Sequence, residues 1–174
     1  MNEMEALNLA IEREKEAHLR YSEAAERATD GKGKQMFSWL ASEEMGHVKI
    51  LEKERAAVEQ SGKWLAEEAW ASSGDLSQPI ERAEFPLLSE VKGELKTDAP
   101  ELEILKAAIE AEREAASFYA ELAQNISDPN GKAMLNKLSA IETGHLNLLE
   151  EEYEWLRRSR EFFTVHRFTL PSSA

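Results

Sequence analysis

Two copies of the sequence Glu-x-x-His are the feature of this chain that most clearly indicates chemistry. One copy places His47 three residues after Glu44, and the other places His145 three residues after Glu142. On a helix, side chains at this spacing lie one turn apart on the same face. Carboxylate oxygens and imidazole nitrogens both bind metal ions, so each copy is a candidate metal-binding element.

A further glutamate precedes each copy at the same distance. The separation in sequence between Glu14 and Glu44 equals the separation between Glu112 and Glu142. One Glu-x-x-His sequence would carry little weight, because glutamate is abundant in this chain. Two copies with matching upstream glutamates are much harder to obtain by accident.

The regular spacing reflects an internal repeat. Residues 7–55 align without a gap with residues 105–153, at a constant offset in residue number. In both segments Ala, Glu, Leu and Lys dominate, and apolar residues recur every three or four positions, which is typical of helices. The repeat predicts two similar helical halves within a single domain of 174 residues.

Capping signals divide each half into two helices. Asp30 and Asp128 are predicted N-caps, and Asp98 with Glu101 is predicted to form a capping box. The chain is therefore predicted to be all-α, a four-helix bundle with a long crossover between its second and third helices. The predicted helices span residues 3–29, 31–59, 99–126 and 129–158, with the crossover at 60–98 and a C-terminal tail at 159–174.

Each predicted helix carries a glutamate in the middle of its apolar, inward-facing stripe, at positions 14, 44, 112 and 142. Buried carboxylates without partners are strongly destabilising, so something cationic must compensate them. Glu14 precedes the Asp30 turn by nearly as many residues as Glu44 follows it. The two therefore lie within about 3 Å of the same height. If the halves pack about a pseudo-twofold axis, all four carboxylates fall in one layer.

Two divalent cations would balance four carboxylates, and two imidazoles would complete the ligand set. Bundles that bind two iron or manganese ions use the same constellation, a Glu from each of two helices and Glu-x-x-His from each of the others. These donors favour iron or manganese over copper, and less firmly over zinc. We predict a site for two Fe ions, with Mn or a mixed pair as alternatives, formed by Glu14, Glu44, His47, Glu112, Glu142 and His145.

Other residues allow more than one interpretation. Tyr21 and Tyr119 each follow a predicted ligand by seven residues. Their hydroxyls could bind a carboxylate of a neighbouring helix, although core packing explains them equally well. His18 has Ala116 as its repeat counterpart, so we expect it at the surface or at a cavity edge, and His166 has no identifiable partner. Packing or interface roles are expected for the tryptophans, Trp39, Trp64, Trp70 and Trp155.

Composition excludes several classes of function. With 34 acidic and 21 basic residues the net charge is −13, so nucleic acids and anionic membranes are poor partners. There is no Cys, which excludes thiolate catalysis, disulfides and iron–sulfur clusters. The N-terminus has neither the cationic start nor the apolar middle of a secretory signal, and we expect a cytoplasmic protein.

At EKEAHLRY with EMGH, and again at EREAASFY with ETGH, the chain resembles rubrerythrin-like members of the ferritin superfamily. The likeness covers residues 5–56 and 103–155. It implies a ferritin-like bundle, commonly a homodimer or larger, with a di-iron centre that reacts with peroxide or dioxygen. It also implies roles for the ligands: Glu44 and Glu142 would bridge the ions, while Glu14, Glu112, His47 and His145 would each bind one.

The chain departs from this family at two points. Full-length rubrerythrins carry a Cys-ligated rubredoxin module, whereas this chain has no Cys, so we expect an external electron donor such as a rubredoxin. The family also places an additional glutamate, associated with peroxide reduction, one turn after the third helix's ligand. Ala115 occupies that position here.

The leading functional hypothesis is a di-iron oxidoreductase that reduces hydrogen peroxide or dioxygen in oxidative-stress defence, with Glu44 and Glu142 at the catalytic centre. An alternative is an iron-binding ferroxidase for iron storage or handling, which would consume iron and not an electron donor. A third alternative is a duplicated structural bundle without metal, in which the buried polar groups pair with one another.

Overall fold

The computed structural model describes residues 2–29, 31–71 and 99–168. These residues form five helices and confirm the all-α prediction. They are α1 (Glu3–Arg27), α2 (Gly31–Ser61), α3 (Glu67–Ala71), α4 (Ala99–Asn125) and α5 (Pro129–Phe168). The four long helices correspond to the four that the sequence predicts, and α3 is a short helix within the crossover.

The turn between α4 and α5 forms as predicted. The Asp128 carboxylate accepts hydrogen bonds from the backbone N–H groups of Asn130 at 2.8 Å and Gly131 at 3.3 Å, which caps the start of α5. The equivalent caps predicted at Asp30 and Asp98 lie outside the described residues. At the start of the crossover, α2 ends at Ser61 and is followed by Gly62, whose φ of 68° is a conformation that glycine adopts without strain.

Helix α5 continues well beyond its predicted end and includes the first part of the segment assigned as a tail. No Gly or Pro occurs between Gly144 and Pro171 to interrupt it. A helix persists through such a stretch even when its apolar residues lack a clear period, because backbone hydrogen bonds extend it one residue at a time. The prediction from the spacing of apolar residues therefore made this helix too short.

The helices form two antiparallel hairpins, α1 with α2 and α4 with α5. The turn between α1 and α2 lies beside the start of α4. There the Thr29 hydroxyl donates to the Glu101 carboxylate at 2.7 Å. The apolar core consists of two clusters of buried residues. One contains Leu7 of α1 with Leu122 of α4, and the other contains Ala25 of α1 with Leu105 of α4. These pairings require α1 and α4 to run antiparallel, and the layer between the clusters is polar.

Candidate metal centre

The polar layer contains all six predicted ligands. One comes from each of α1 and α4, and two come from each of α2 and α5. None of the six is more than 3% exposed. The sequence therefore correctly predicted that the residues at the middle of the four apolar stripes converge, and the members are Glu14, Glu44, His47, Glu112, Glu142 and His145.

The ligand atoms form two overlapping groups, within each of which they lie no more than 4.8 Å apart. The first group is Glu14, Glu44, His47 and Glu142, and the second is Glu44, Glu112, Glu142 and His145. Glu44 and Glu142 belong to both groups. Two adjacent positions for cations, connected by two shared carboxylates, are the geometry that the resemblance to rubrerythrin-like proteins implies.

In the first group, the imidazole of His47 faces three carboxylates. Its Nδ1 atom lies 3.1 Å from Glu14 Oε2, 3.3 Å from Glu44 Oε2 and 3.2 Å from Glu142 Oε1. These oxygens come from three different helices, so the contact joins both hairpins. A nitrogen and three oxygens at such distances surround a common point, as ligands of one ion do.

The second group repeats the arrangement with the hairpins exchanged. The Nδ1 atom of His145 lies 3.0 Å from Glu142 Oε2, 3.4 Å from Glu44 Oε1 and 3.9 Å from Glu112 Oε2. The rings of His47 and His145 are nearly parallel, with centroids 6.0 Å apart. The pseudo-twofold relation between the halves is therefore visible at the level of single atoms.

Two buried tyrosines connect the hairpins across this layer. The Tyr21 hydroxyl donates to Glu112 Oε1, and the Tyr119 hydroxyl donates to Glu14 Oε1. Both interpretations that the sequence left open are therefore observed, since each hydroxyl bonds a neighbouring helix and each ring is buried in an apolar cluster. Each bond holds one oxygen of a carboxylate that belongs to a single group, while the other oxygen faces that group's imidazole.

Burial and the charges of neighbouring carboxylates raise the pKa of two of the carboxylates, whereas hydrogen bonds with the imidazoles lower the pKa of a third. Burial, together with the charges of Glu44 and Glu142, raises the pKa of Glu14 well above its usual range. Burial and the charge of Glu142 do the same to the pKa of Glu112. For Glu44, burial alone would raise the pKa, but hydrogen bonds with both imidazoles lower it well below its usual range.

The pKa values of the two imidazoles are shifted upward. Burial alone would lower the pKa of His47, but the charges of Glu142 and Glu14 raise it well above its usual range. Hydrogen bonds with Glu142 and Glu44 likewise outweigh burial and raise the pKa of His145. Without metal, protons on these groups supply the positive charge that the cluster needs.

The donor atoms of the cluster also fit bound metal ions. Glu44 Oε1 and Glu142 Oε1 are buried and accept no hydrogen bond of good geometry, although imidazole nitrogens lie 3.4 and 3.2 Å away. Metal ions would replace protons with higher charge and use every free oxygen. Carboxylate oxygens with one imidazole per group suit iron or manganese.

Two histidines lie outside the cluster in different ways. His18 is half-buried, whereas the sequence predicted a position at the surface or at a cavity edge, and its Nδ1–H donates to the backbone oxygen of Ala41 at 2.7 Å. His166 belongs to α5, but its side chain is outside the described part of the chain. Trp64 and Trp70 are buried in the core, as packing roles predict.

Sequence reasoning did not place two features next to the cluster, although it expected a packing or interface role for Trp39. Half-buried Trp39 packs edge-on against the imidazole of His145, with ring centroids 5.7 Å apart. A cleft of about 350 Å³ between α1 and α4 also reaches the four carboxylates, and Ala115 is in its wall. The sequence analysis searched for residues that are the same in both halves of the repeat. Trp39 has Lys137 as its counterpart, so only a comparison of positions that differ between the halves would have identified it.

Comparisons with known proteins agree with this fold and site. Residues 5–73 match the family model described as Rubrerythrin. A solved structure of a hypothetical protein from Pyrococcus furiosus superposes with a TM-score of 0.65 at 28% identity, covering 91% of this chain and 92% of that chain. No curated protein matches. The resemblance to rubrerythrin and the ferritin-like bundle are confirmed, and no helix among the described residues has the length and apolarity needed to cross a membrane.

Proposed function

We propose that this protein is a di-iron oxidoreductase that reduces hydrogen peroxide or dioxygen, in defence against oxidants. The observation that carries the proposal is the pair of overlapping ligand groups that share Glu44 and Glu142. Two iron ions bound there would supply the electrons, one from each ion. The rest of the chemistry depends on how the chain's own residues hold these positions.

The shared carboxylates set the separation of the two positions. Because Glu44 and Glu142 belong to both groups, their oxygens would bind both ions and keep them adjacent. Tyr21 and Tyr119 hold the carboxylates of Glu112 and Glu14 from the opposite hairpin. Such outer hydrogen bonds orient ligands and limit their movement when the charge of a bound ion changes.

The surroundings of the layer favour reaction with a small oxidant. Apolar clusters close the layer above and below, which excludes bulk water from most of the site. The cleft between α1 and α4 provides a path from solvent to the carboxylates. An oxidant entering there would reach both ligand groups at once, because the shared residues are in the cleft's floor.

Electrons for repeated turnover would come from outside the chain, which contains no Cys for an internal iron–sulfur donor. A rubredoxin-type protein is the proposed donor. We also propose a homodimer or larger homo-oligomer and a cytoplasmic location, in line with the family resemblance and the net charge of −13.

Metal analysis followed by stopped-flow kinetics tests the proposal. Protein produced with iron should contain two iron ions per chain, and after anaerobic reduction it should consume peroxide or dioxygen together with reduced rubredoxin. The double variant Glu44→Gln/Glu142→Gln is the control, since it keeps the size of both side chains and removes both shared charges. Consumption of iron without donor would instead indicate iron storage, and a metal content near zero would indicate a structural bundle.

A further inference from the structure

The cleft between α1 and α4 is larger than hydrogen peroxide or dioxygen requires. Its volume is about 350 Å³. A water molecule occupies roughly 30 Å³ in the liquid, so the cleft is several times larger than a molecule of two heavy atoms. Pockets for organic ligands are typically about 300–1,000 Å³. The volume therefore matches a small organic molecule.

The chemistry of the cleft changes with depth. Its floor consists of the buried carboxylates of the metal centre and the Tyr119 hydroxyl. The Oε1 atoms of Glu44 and Glu142 are buried there without a hydrogen bond of good geometry. Its lining also contains five apolar residues, Leu9, Ala17, Ala111, Ala115 and Phe118. A ligand that fits both parts has a polar end directed at the metal centre and an apolar body.

The rim of the cleft carries balanced charges. Arg13, Glu16, Arg20 and Glu114 surround the opening, and all four are exposed. The guanidinium carbon of Arg13 lies 4.1 Å from the centroid of the Phe118 ring. A cation in this position stabilises the aromatic wall across the mouth of the cleft. Two positive and two negative charges select for neither sign, so an uncharged ligand is favoured.

We propose that the cleft binds small, uncharged organic hydroperoxides and that the protein reduces them to alcohols. This inference rests on the proposed function, because the reductant is the di-iron centre in its ferrous state. The O–O bond of the hydroperoxide breaks and accepts two electrons as two Fe(II) become two Fe(III). Two protons from solvent complete the reaction, so that one oxygen stays on the organic group as an alcohol and the other leaves as water.

The test combines binding with kinetics, using cumene hydroperoxide as substrate and its product, 2-phenyl-2-propanol, as the binding probe. Binding of the alcohol to the full-length chain is measured by ligand-observed NMR, with and without iron. Ala115→Leu and Ala111→Leu each place a larger side chain in the cleft wall, and either variant suffices if the other fails to fold. Ala140→Leu is the matched control, because Ala140 is an exposed helical position that does not line the cleft.

The expected result is saturable binding of the alcohol to the wild-type chain and to Ala140→Leu, with at least about tenfold weaker binding to the cleft variants. The cleft variants should also lower the rate with cumene hydroperoxide at least about tenfold more than the rate with hydrogen peroxide. Equal binding to all variants, or equal effects on both peroxides, would overturn the inference.

Failure of the proposed function gives a different result. In that case neither peroxide is reduced by the iron-loaded wild-type chain, whatever the binding shows. Cleft-specific binding without turnover would keep the cleft as a site for an apolar ligand and would overturn hydroperoxide as its substrate. Turnover of hydrogen peroxide alone, without binding of the alcohol, would leave the di-iron function intact and overturn only this inference.

Discussion

The two hairpins supply equivalent residues to the floor of the metal centre and partly different residues to its rim. His47 faces its carboxylates at 3.1–3.3 Å, and its repeat counterpart His145 faces the equivalent carboxylates at 3.0–3.9 Å. At the rim, by contrast, Arg13 of α1 has Ala111 of α4 as its counterpart. Equivalent helix positions are thus identical in the ligand layer, whereas beside it some are unlike and others, such as Glu16 and Glu114, are identical.

This difference separates two physical requirements. Two adjacent cations need the same donors on both sides, and any loss of a carboxylate leaves uncompensated charge in the interior. Entry of a small molecule to the ligand layer needs an opening between only one pair of helices. The residues on the two sides of that opening can differ. Arg20 of α1 and Phe118 of α4 are a second such pair of counterparts, and both line the cleft. The symmetry of the floor is what two cation positions would require, whereas the positions that differ at the rim are under no such requirement.

The largest expected effect distinguishes shared ligands from those of one group. Glu44→Gln removes a charge from both groups, so we expect the affinity for both ions to fall by about 100-fold or more. Glu14→Gln and Glu112→Gln each remove a ligand of one group only. These two variants should retain close to one ion per chain, as measured by elemental analysis after dialysis. Loss of both ions from Glu14→Gln, to the same extent as from Glu44→Gln, would contradict the assignment of shared roles.

The symmetric layer is also the part that the sequence predicted best. A buried carboxylate is conspicuous in an apolar stripe, and the repeat places Glu14 and Glu112 at matching heights without any knowledge of side-chain packing. The role of Tyr21 stayed open, because a tyrosine in a core stripe packs well with or without a hydrogen bond. Only the position of the opposite hairpin decides whether its hydroxyl reaches Glu112.

The asymmetric parts could not be predicted from the repeat. Arg13 and Phe118 occur on different helices at unrelated register positions, so their contact depends on the exact packing of α1 beside α4. The end of α5 at Phe168 was missed for another reason, since helix continuation there depends on the absence of Gly and Pro. Periodicity detects faces that are buried, and it is silent on cavities and on helix ends without a stop signal.

A second comparison concerns pH and the end of the bundle where α2 meets the crossover. Glu54 is fully buried, and its Oε2 atom accepts the Leu65 backbone N–H at 2.9 Å. Burial, and to a lesser degree the charge of Asp128, raises its pKa from 4.5 to about 7. The folded state therefore holds a proton that the unfolded state releases above pH 4.5.

Glu54→Gln should remove this pH dependence. In the wild-type chain, the contribution of Glu54 to stability falls as the pH rises from 4.5 to about 7, and it is constant above. The variant should equal the wild type near pH 4.5 and exceed its free energy of unfolding by up to about 3 kcal/mol at pH 8. Urea denaturation at the two pH values measures the difference, with the exposed Glu59→Gln as control. A constant offset between variant and wild type at both pH values would contradict this account.

The paired glycines near the hairpin turns test packing instead of charge. A Cβ atom on Gly131 would lie 2.7 Å from the Trp64 ring and 2.9 Å from Ile126, whereas a Cβ on its counterpart Gly33 meets only Ala28 at 3.8 Å. Gly131→Ala should therefore destabilise the protein by about 1–3 kcal/mol. Gly33→Ala should stabilise it by up to about 1 kcal/mol through helix propensity. Thermal denaturation of both variants should show shifts of opposite sign.

The smallest expected effect is on the rate of metal release and concerns the two imidazoles. They face equivalent carboxylates, but different residues lie next to them. Trp39 packs against His145, and its counterpart in the repeat is the exposed Lys137. Apolar cover limits the access of water to a metal ligand and so slows the exchange of the ion. Trp39→Ala should therefore speed the release of one of the two ions to a chelator by about tenfold or less.

Lys137→Ala is the matched change in the other half and should leave both release rates unchanged. Two kinetic phases that separate only in Trp39→Ala would show that the protein distinguishes its two metal positions through their surroundings, although their ligands are alike. Equal acceleration of both phases in Trp39→Ala would mean that the indole acts on the layer as a whole. The shared residues Glu44 and Glu142 would then couple the two positions too strongly for one cover to affect a single ion.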